Sequence, residues 1–305
     1  MAKPRSAEQA TKQRSLMQEA WLQFKSNRLA ICGLIVIGLL LLISIVTTVI
    51  DLADGGALYK QLVTKQNLLE KLDGPSAAHI LGCDEYGRDL FFRILWGTRY
   101  SLFAGVCTIL AAVLIGGLFG AMAGYYGGKL DNVIMRVMDM MMTVPSLVLA
   151  MAIVAALGSS LVNLLIALAT SQIPQFARIV RSSVMAVKGS EYVEAAKAVG
   201  ASDALIIAKY IIAKYIIPNA LSPVIVQGTL GVATTILNVA GMSFLGLGIQ
   251  PPAPEWGSIL SSARVYMREA WHISVFPGLA IVICILSLNL LGDGLRDALD
   301  PKQKR

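Results

Sequence analysis

The chain has 305 residues, 56% of them hydrophobic and only 15% charged, with a mean hydropathy of +0.67. Soluble domains carry about a quarter charged residues, so this composition excludes an ordinary soluble enzyme and places most of the chain against lipid or other apolar helices. The net charge of +7 is interspersed among apolar runs and not gathered on a polar domain, which favours a membrane setting over nucleic acid.

Residues 1–28 set Leu16, Met17, Trp21, Leu22 and Phe24 among charges, the pattern of an interfacial amphipathic helix leading into a span. Leu29–Ile50 is an apolar run of 22 residues that reaches about 33 Å as a helix, enough to cross a bilayer core. It is too long for a signal-peptide core and no small-residue cleavage site comes after it, so it reads as a retained span. Residues 51–100 read as an extracytoplasmic loop closed by an interfacial elbow at Leu90–Trp96, among Arg88, Arg93 and Arg99. Further spans are expected near 101–123, 133–157, 161–185, 212–246 and 271–291, six in all, with 212–246 too long for one span alone. The core thus covers 101–292, and 293–305 reads as a polar tail.

With the N-terminus inside, 18 of the 26 Lys and Arg fall on cytosolic segments and 8 outside, so both termini are expected in the cytosol. Cys32, Cys107 and Cys284 lie in apolar segments as small core residues, and Cys83 alone lies in a loop, so no disulfide framework is expected. The two histidines, His79 and His272, are far apart and show no metal-ligand spacing.

Between the fourth and fifth spans lies a charged, helix-prone island at 188–204. Ser190 is placed to cap a helix, Glu191 and Glu194 favour its positive end, and Ala195, Ala196 and Ala198 keep it slim. Gly200 is suited to the left-handed turn that ends it, with Ala201, Ser202 and Asp203 opening a second helix. By spacing alone this is equally an ordinary interhelical loop. Glu194-Ala195-Ala196 followed by Gly200 resembles the E-A-A-x-x-x-G signature of the membrane subunits of ABC importers.

Several further motifs occur in the same order as in that family. His79-Ile-Leu-Gly-Cys-Asp-Glu-Tyr-Gly-Arg-Asp89 resembles the H-x-L-G-T-D-x-x-G-R-D box of the dipeptide, oligopeptide and nickel permeases, with Cys83 where Thr is usual. Gly124-Tyr-Tyr-Gly-Gly128, Asp131-Asn132, Met135-Arg-Val-Met-Asp139, Phe244-Leu-Gly-Leu-Gly248, Pro251-Pro-Ala-Pro-Glu-Trp-Gly257 and the run Asn289 to Pro301 extend the likeness over about residues 20–301. The resemblance implies an all-α polytopic membrane protein: six transmembrane helices of the type I ABC importer permease fold, with a cytosolic coupling helix. It also implies a prokaryotic cytoplasmic (inner) membrane, a homologous second permease subunit, two cytosolic ABC ATPases and an extracytoplasmic solute-binding protein. Glu191, Glu194, Ala195, Ala196, Gly200, Ala201 and Ser202 are then the ATPase-coupling residues. No G-x-x-x-x-G-K-[ST] loop is present, so ATP and Mg are expected on the partners, with no cofactor and no catalytic residue in this chain.

One departure stands out. Ala208-Lys-Tyr-Ile-Ile212 is succeeded at once by an identical Ala213–Ile217, where the family has room for one copy. As helix, five extra residues would add ~7.5 Å and turn the chain beyond them by roughly 140°. A natural duplication and an artefact both remain open.

Within the spans, Arg136 and Asp139 are spaced to pair on one helix face, more as a structural pair than as a substrate contact. Asn238, Gln227, Met142 and Asp139 are the candidate pathway residues, whereas Asn289 reads as structural. The cluster Met135, Met138, Met140, Met141 and Met142 fits helix packing better than a permissive path. Pro145, Pro174 and Pro277 are kink positions, and Gly116, Gly117, Gly120 and Gly124 are close-packing positions. Peptides are the expected substrate, with nickel as the alternative in the same machine. An ion-coupled carrier calls for mid-membrane charge pairs and inverted repeats, and an intramembrane enzyme for a catalytic cluster; neither pattern is found.

Overall fold

The computed structural model describes residues 16–206 and 217–299. Among them all regular structure is helical and no strand occurs. The duplicated segment lies outside the described residues except for Ile217.

Helix α1 (Leu16–Ser26) turns at Asn27, whose side chain accepts from Leu29 N–H and Ala30 N–H and so caps α2 (Arg28–Ala53). Phe24 is buried against Ala30 and Ala298, while Trp21 and Leu22 stay exposed, the one-sided burial expected of an interfacial helix. Three short turns come next: α3 (Ala57–Tyr59), a π turn (Lys60–Thr64) and a 3-10 turn (Leu68–Glu70).

Helix α4 (Leu90–Tyr126) begins with the Asp89 carboxylate accepting from Phe91 N–H and Phe92 N–H, and runs unbroken for 37 residues, about 55 Å. The elbow expected at Leu90–Trp96 is therefore the first two turns of one long helix. Its arginines do not end it because each finds a partner inside the protein. Arg93 Nε lies 3.2 Å from Asp84, and Arg99 Nη1 lies 2.5 Å from Asp51, which also accepts from Trp96 Nε1.

The single span expected at 133–157 is instead two helices, α5 (Gly128–Met142) and α6 (Ser146–Leu157), bent by 90° at Thr143–Pro145. Pro145 lacks an N–H and pushes Val144 out of helical conformation, so the ladder cannot continue. Beyond them lie α7 (Leu161–Val187), α8 (Glu191–Ala198), α9 (Asp203–Leu205), α10 (Ile217–Phe244), α11 (Trp256–Ala263) and α12 (His272–Leu299). The last span does not stop at 291 but remains helical to Leu299, its end packed under α1.

Four described helices, α2, α4, α10 and α12, are each long and apolar enough to cross a membrane, and α5 with α6, bent by 90°, is together apolar enough to make a broken span or a re-entrant loop. Helix α7 occupies the position of the fourth expected span and is long enough at 27 residues, about 40 Å. It carries Gln172, Gln175, Arg178 and Arg181 and is less apolar. It packs against α4 along most of its length and also touches α5, α6 and α10. The α4–α7 contact rests on Gly116, Gly120 and Gly124: a Cβ would lie 2.6 Å from Ile173 O at the first, closer still to Ala177 O at the second and 2.8 Å from Val184 Cβ at the third. Gly117 is different, since its Cβ would meet only Val180, at 3.9 Å.

Candidate functional site

Two places concentrate the residues singled out above. The first is the short helix α8 beyond the end of α7. Its first turn closes by Val193 N–H and Glu194 N–H donating to the Ser190 carbonyl at 2.9 and 3.2 Å. The Ser190 hydroxyl does not act as the expected cap acceptor; it donates back to Val187 O at 2.6 Å and finishes α7. Val193 is fully buried against Ala121 and Tyr125 of α4, Val180 and Val184 of α7, and Ile206, with Ala201 packed at the margin. Beside it Tyr125 OH donates to Asp203 Oδ1 at 2.7 Å, and Ser202 Oγ accepts from Leu205 N–H at 3.4 Å.

The other described side chains of α8 are bare. Glu191, Glu194, Ala195, Ala198, Gly200 and Ser202 are exposed, and Val199 is 83% exposed. Ala196 lies within the helix. Gly200 has φ +80°, the left-handed geometry expected of it, and a Cβ there would meet nothing within 4 Å. Among the described side chains of α8, Val193 is the apolar peg that fixes the helix to the ends of α4 and α7, and Glu191 and Glu194 stay uncovered.

The second place is a cavity of about 350 Å³ in the corner between α5, α6, α7 and α10. Met141, Met142 and Pro145 form one wall, Ser171, Gln172 and Gln175 of α7 another, and Gln227, Gly231 and Thr234 of α10 a third. These named walls carry amides and hydroxyls but no charge. Asn238, half-buried, continues the α10 stripe one turn beyond Thr234 but does not line the cavity. Gln227 and Met142 are therefore brought together, and Asn238 extends their line. Gln172 and Gln175 escape sequence reasoning, because there they read as ordinary polar residues in a span.

Asp139 belongs elsewhere. The Arg136–Asp139 pair expected along one helix is replaced by Asp139 with Arg178 of α7, at 2.5 Å. Further along both helices, Asp131 accepts from Arg181 in a two-pronged contact, Nε and Nη2 both at 2.6 Å. Arg178 offers Asp139 a charge-assisted bond from the facing helix, and the two cross-helix pairs join α5 to α7. The methionines divide likewise: Met138 is buried in the core with Met135 and Met141 against it, and Met142 faces the cavity.

Comparison with known proteins agrees with this architecture. Residues 116–305 match the family described as binding-protein-dependent transport system inner membrane component, and residues 15–68 match the N-terminal transmembrane domain of oligopeptide transport permease C. The chain is 45% identical over 287 residues to the dipeptide transport system permease protein DppC of Alkalihalophilus pseudofirmus, covering 94% of this chain and 90% of that one. It is 47% identical over 232 residues to the glutathione transport system permease protein GsiD of Pectobacterium atrosepticum, covering 76% and 75%. Among solved structures, the inward-facing MetNI methionine ABC transporter matches with a TM-score of 0.53 at 18% identity, covering 69% of this chain and 98% of that one, a likeness of fold.

Proposed function

The chain belongs to the family of binding-protein-dependent transport system inner membrane components, and on that footing we propose that it forms, with a second permease subunit, the path by which an ATP-driven importer takes up di- and oligopeptides. The family places it as the multi-pass inner-membrane component of an ABC importer. The observation that carries the coupling part of the proposal is α8: Val193 ties it to α4 and α7 while Glu191, Glu194, Ala195 and Gly200 stay uncovered. A partner ATPase that grips this surface moves the ends of two long helices at once. The relatives' names support the peptide assignment, and the uncharged amide lining fits a path that passes peptides of either net charge.

Uptake of labelled dipeptide, glutathione and nickel, in cells with and without this chain and with its partners present, tests the cargo. Loss of dipeptide uptake alone is expected. Loss of glutathione uptake, favoured by the GsiD likeness, narrows the cargo to that tripeptide, and loss of nickel uptake alone replaces the peptide reading. Coupling is tested by ATPase and transport assays on Gly200→Ala and Gly200→Trp. Both carry the left-handed strain, about 1 kcal/mol, and a Cβ at this position meets nothing in this protein. Only the Trp variant is expected to uncouple ATP hydrolysis from uptake; normal transport by it would sink the docking role of α8.

A further inference from the structure

The loop between α2 and α4 gathers three electron-pair donors that lie apart in sequence. Glu70 ends the 3-10 turn, while His79 and Cys83 come from the segment that runs into Asp89. One ligand atom from each lies within 4.8 Å of the other two, and His79 Nε2 stands 3.4 Å from Glu70 Oε2. Asp89 orients the ring: its Oδ2 meets His79 Nδ1 at 2.9 Å while its Oδ1 accepts from Phe91 N–H and Phe92 N–H. With Nδ1–H given to Asp89, Nε2 turns a lone pair toward the Glu70 carboxylate and the Cys83 sulfur. Two acceptors at 3.4 Å repel unless a cation or a proton sits between them.

We propose that Glu70, His79 and Cys83 form a binding site for a divalent transition-metal ion of the zinc class, with Asp89 holding the imidazole in its ligating tautomer. A nitrogen, a sulfur and an oxygen suit zinc or cobalt, whereas calcium and magnesium require all-oxygen sites. A carboxylate that fixes a ligating histidine through its other ring nitrogen is a recurrent partner in such sites. The loop is already held in shape: Cys83 N–H donates to Asp73 O at 2.9 Å, Leu72 N–H to Asp84 O at 3.1 Å and Leu90 N–H to Gly82 O at 3.0 Å. Ligand atoms around a tetrahedral zinc are separated by about 3.3–3.8 Å, so a shift of about 1 Å closes the site. Cys83 is fully buried and the other two ligands are partly exposed, which gives the ion a way in and leaves a fourth position for water. On binding, the Cys83 thiol gives its proton to solvent and ligates as thiolate, with no change of oxidation state. Thiolate and carboxylate together neutralise the ion. His272 is not a ligand, because its Nε2 is engaged with the Cys83 carbonyl at 3.2 Å. The site is independent of the transported solute.

The test is cobalt(II) titration of the full-length chain in detergent, then competition with zinc(II). One equivalent of cobalt with a thiolate charge-transfer band, displaced by zinc, is expected. Cys83→Ser abolishes the band, and Asp89→Asn weakens binding about 10–100-fold while keeping it. Asn is itself a good N-cap, so the second variant preserves the start of α4 and keeps the test valid should Cys83→Ser fold poorly. No band in the wild type means that only a proton bridges His79 and its acids, and overturns the site. A band unchanged in Cys83→Ser comes from another cysteine and overturns it equally.

Discussion

Val193 illustrates how one buried side chain holds in place an exposed surface, the one proposed to meet a partner ATPase. Burying a valine contributes about 2 kcal/mol, and this is the only fully buried residue among the described side chains of α8. Val193→Ala is expected to loosen α8, measured as faster amide exchange over 191–198, with little change in the melting of the transmembrane core. Two ion pairs on α5 and α7 differ in weight in the same way. Arg178–Asp139 is half exposed and is expected to contribute no more than about 1 kcal/mol, whereas Arg181–Asp131 is better shielded and two-pronged. Asp131→Asn therefore lowers the melting temperature in detergent measurably, and Asp139→Asn leaves it nearly unchanged. Equal effects from the two variants would refute this ordering. Glu255 adds a pH-dependent element in the loop before α11. Burial pushes its pKa up, against opposing hydrogen bonds from Gly257 N–H, Ser258 N–H and Ser101 Oγ. A carboxyl whose folded pKa is raised contributes most below its unfolded value and loses that contribution as pH rises through the folded one. Stability is thus expected to fall as pH climbs above about 4, and Glu255→Gln to flatten that slope in melts taken from about pH 4 to 7.

Among the helices, α4 and α7 share the most extensive contact. The row Gly116, Gly120, Gly124 lets backbones touch where side chains would not fit, and in an apolar medium such contact is what holds helices together. Gly120→Leu is expected to abolish stable assembly, whereas Gly117→Ala, pointing past Val180 at ordinary contact distance, is expected to behave as wild type in size-exclusion profiles. All four glycines are visible in the sequence as packing positions, but the sequence does not say which three meet the neighbour. Pro145 is likewise visible as a breaker. Its effect, a 90° corner that forms one wall of the amide-lined cavity, depends on α7 and α10 standing opposite it.

For the molecule as a whole, we propose from the distribution of Lys and Arg that α8 faces the cytosol. A cysteine at the exposed Val199, in a chain whose four native cysteines are replaced, should react with a membrane-impermeant maleimide in inside-out vesicles only. Labelling in right-side-out cells would reverse the topology and remove α8 from any cytosolic ATPase.

The sequence by itself determined the membrane class, the position of nearly every long helix and the family likeness, because apolar run length, Gly and Pro placement and ordered motifs are local properties of the chain. It misjudged α4, splitting it at Arg93 and Arg99, since charge alone ends a span unless partners such as Asp84 and Asp51 are known to be within reach. It paired Asp139 with Arg136 for the same reason. Only the tertiary structure decided these points. Side-chain partners that are 39 residues apart, as Arg178 and Asp139 are, or drawn from separate turns, as Glu70 and Cys83 are, meet through packing that no local pattern encodes.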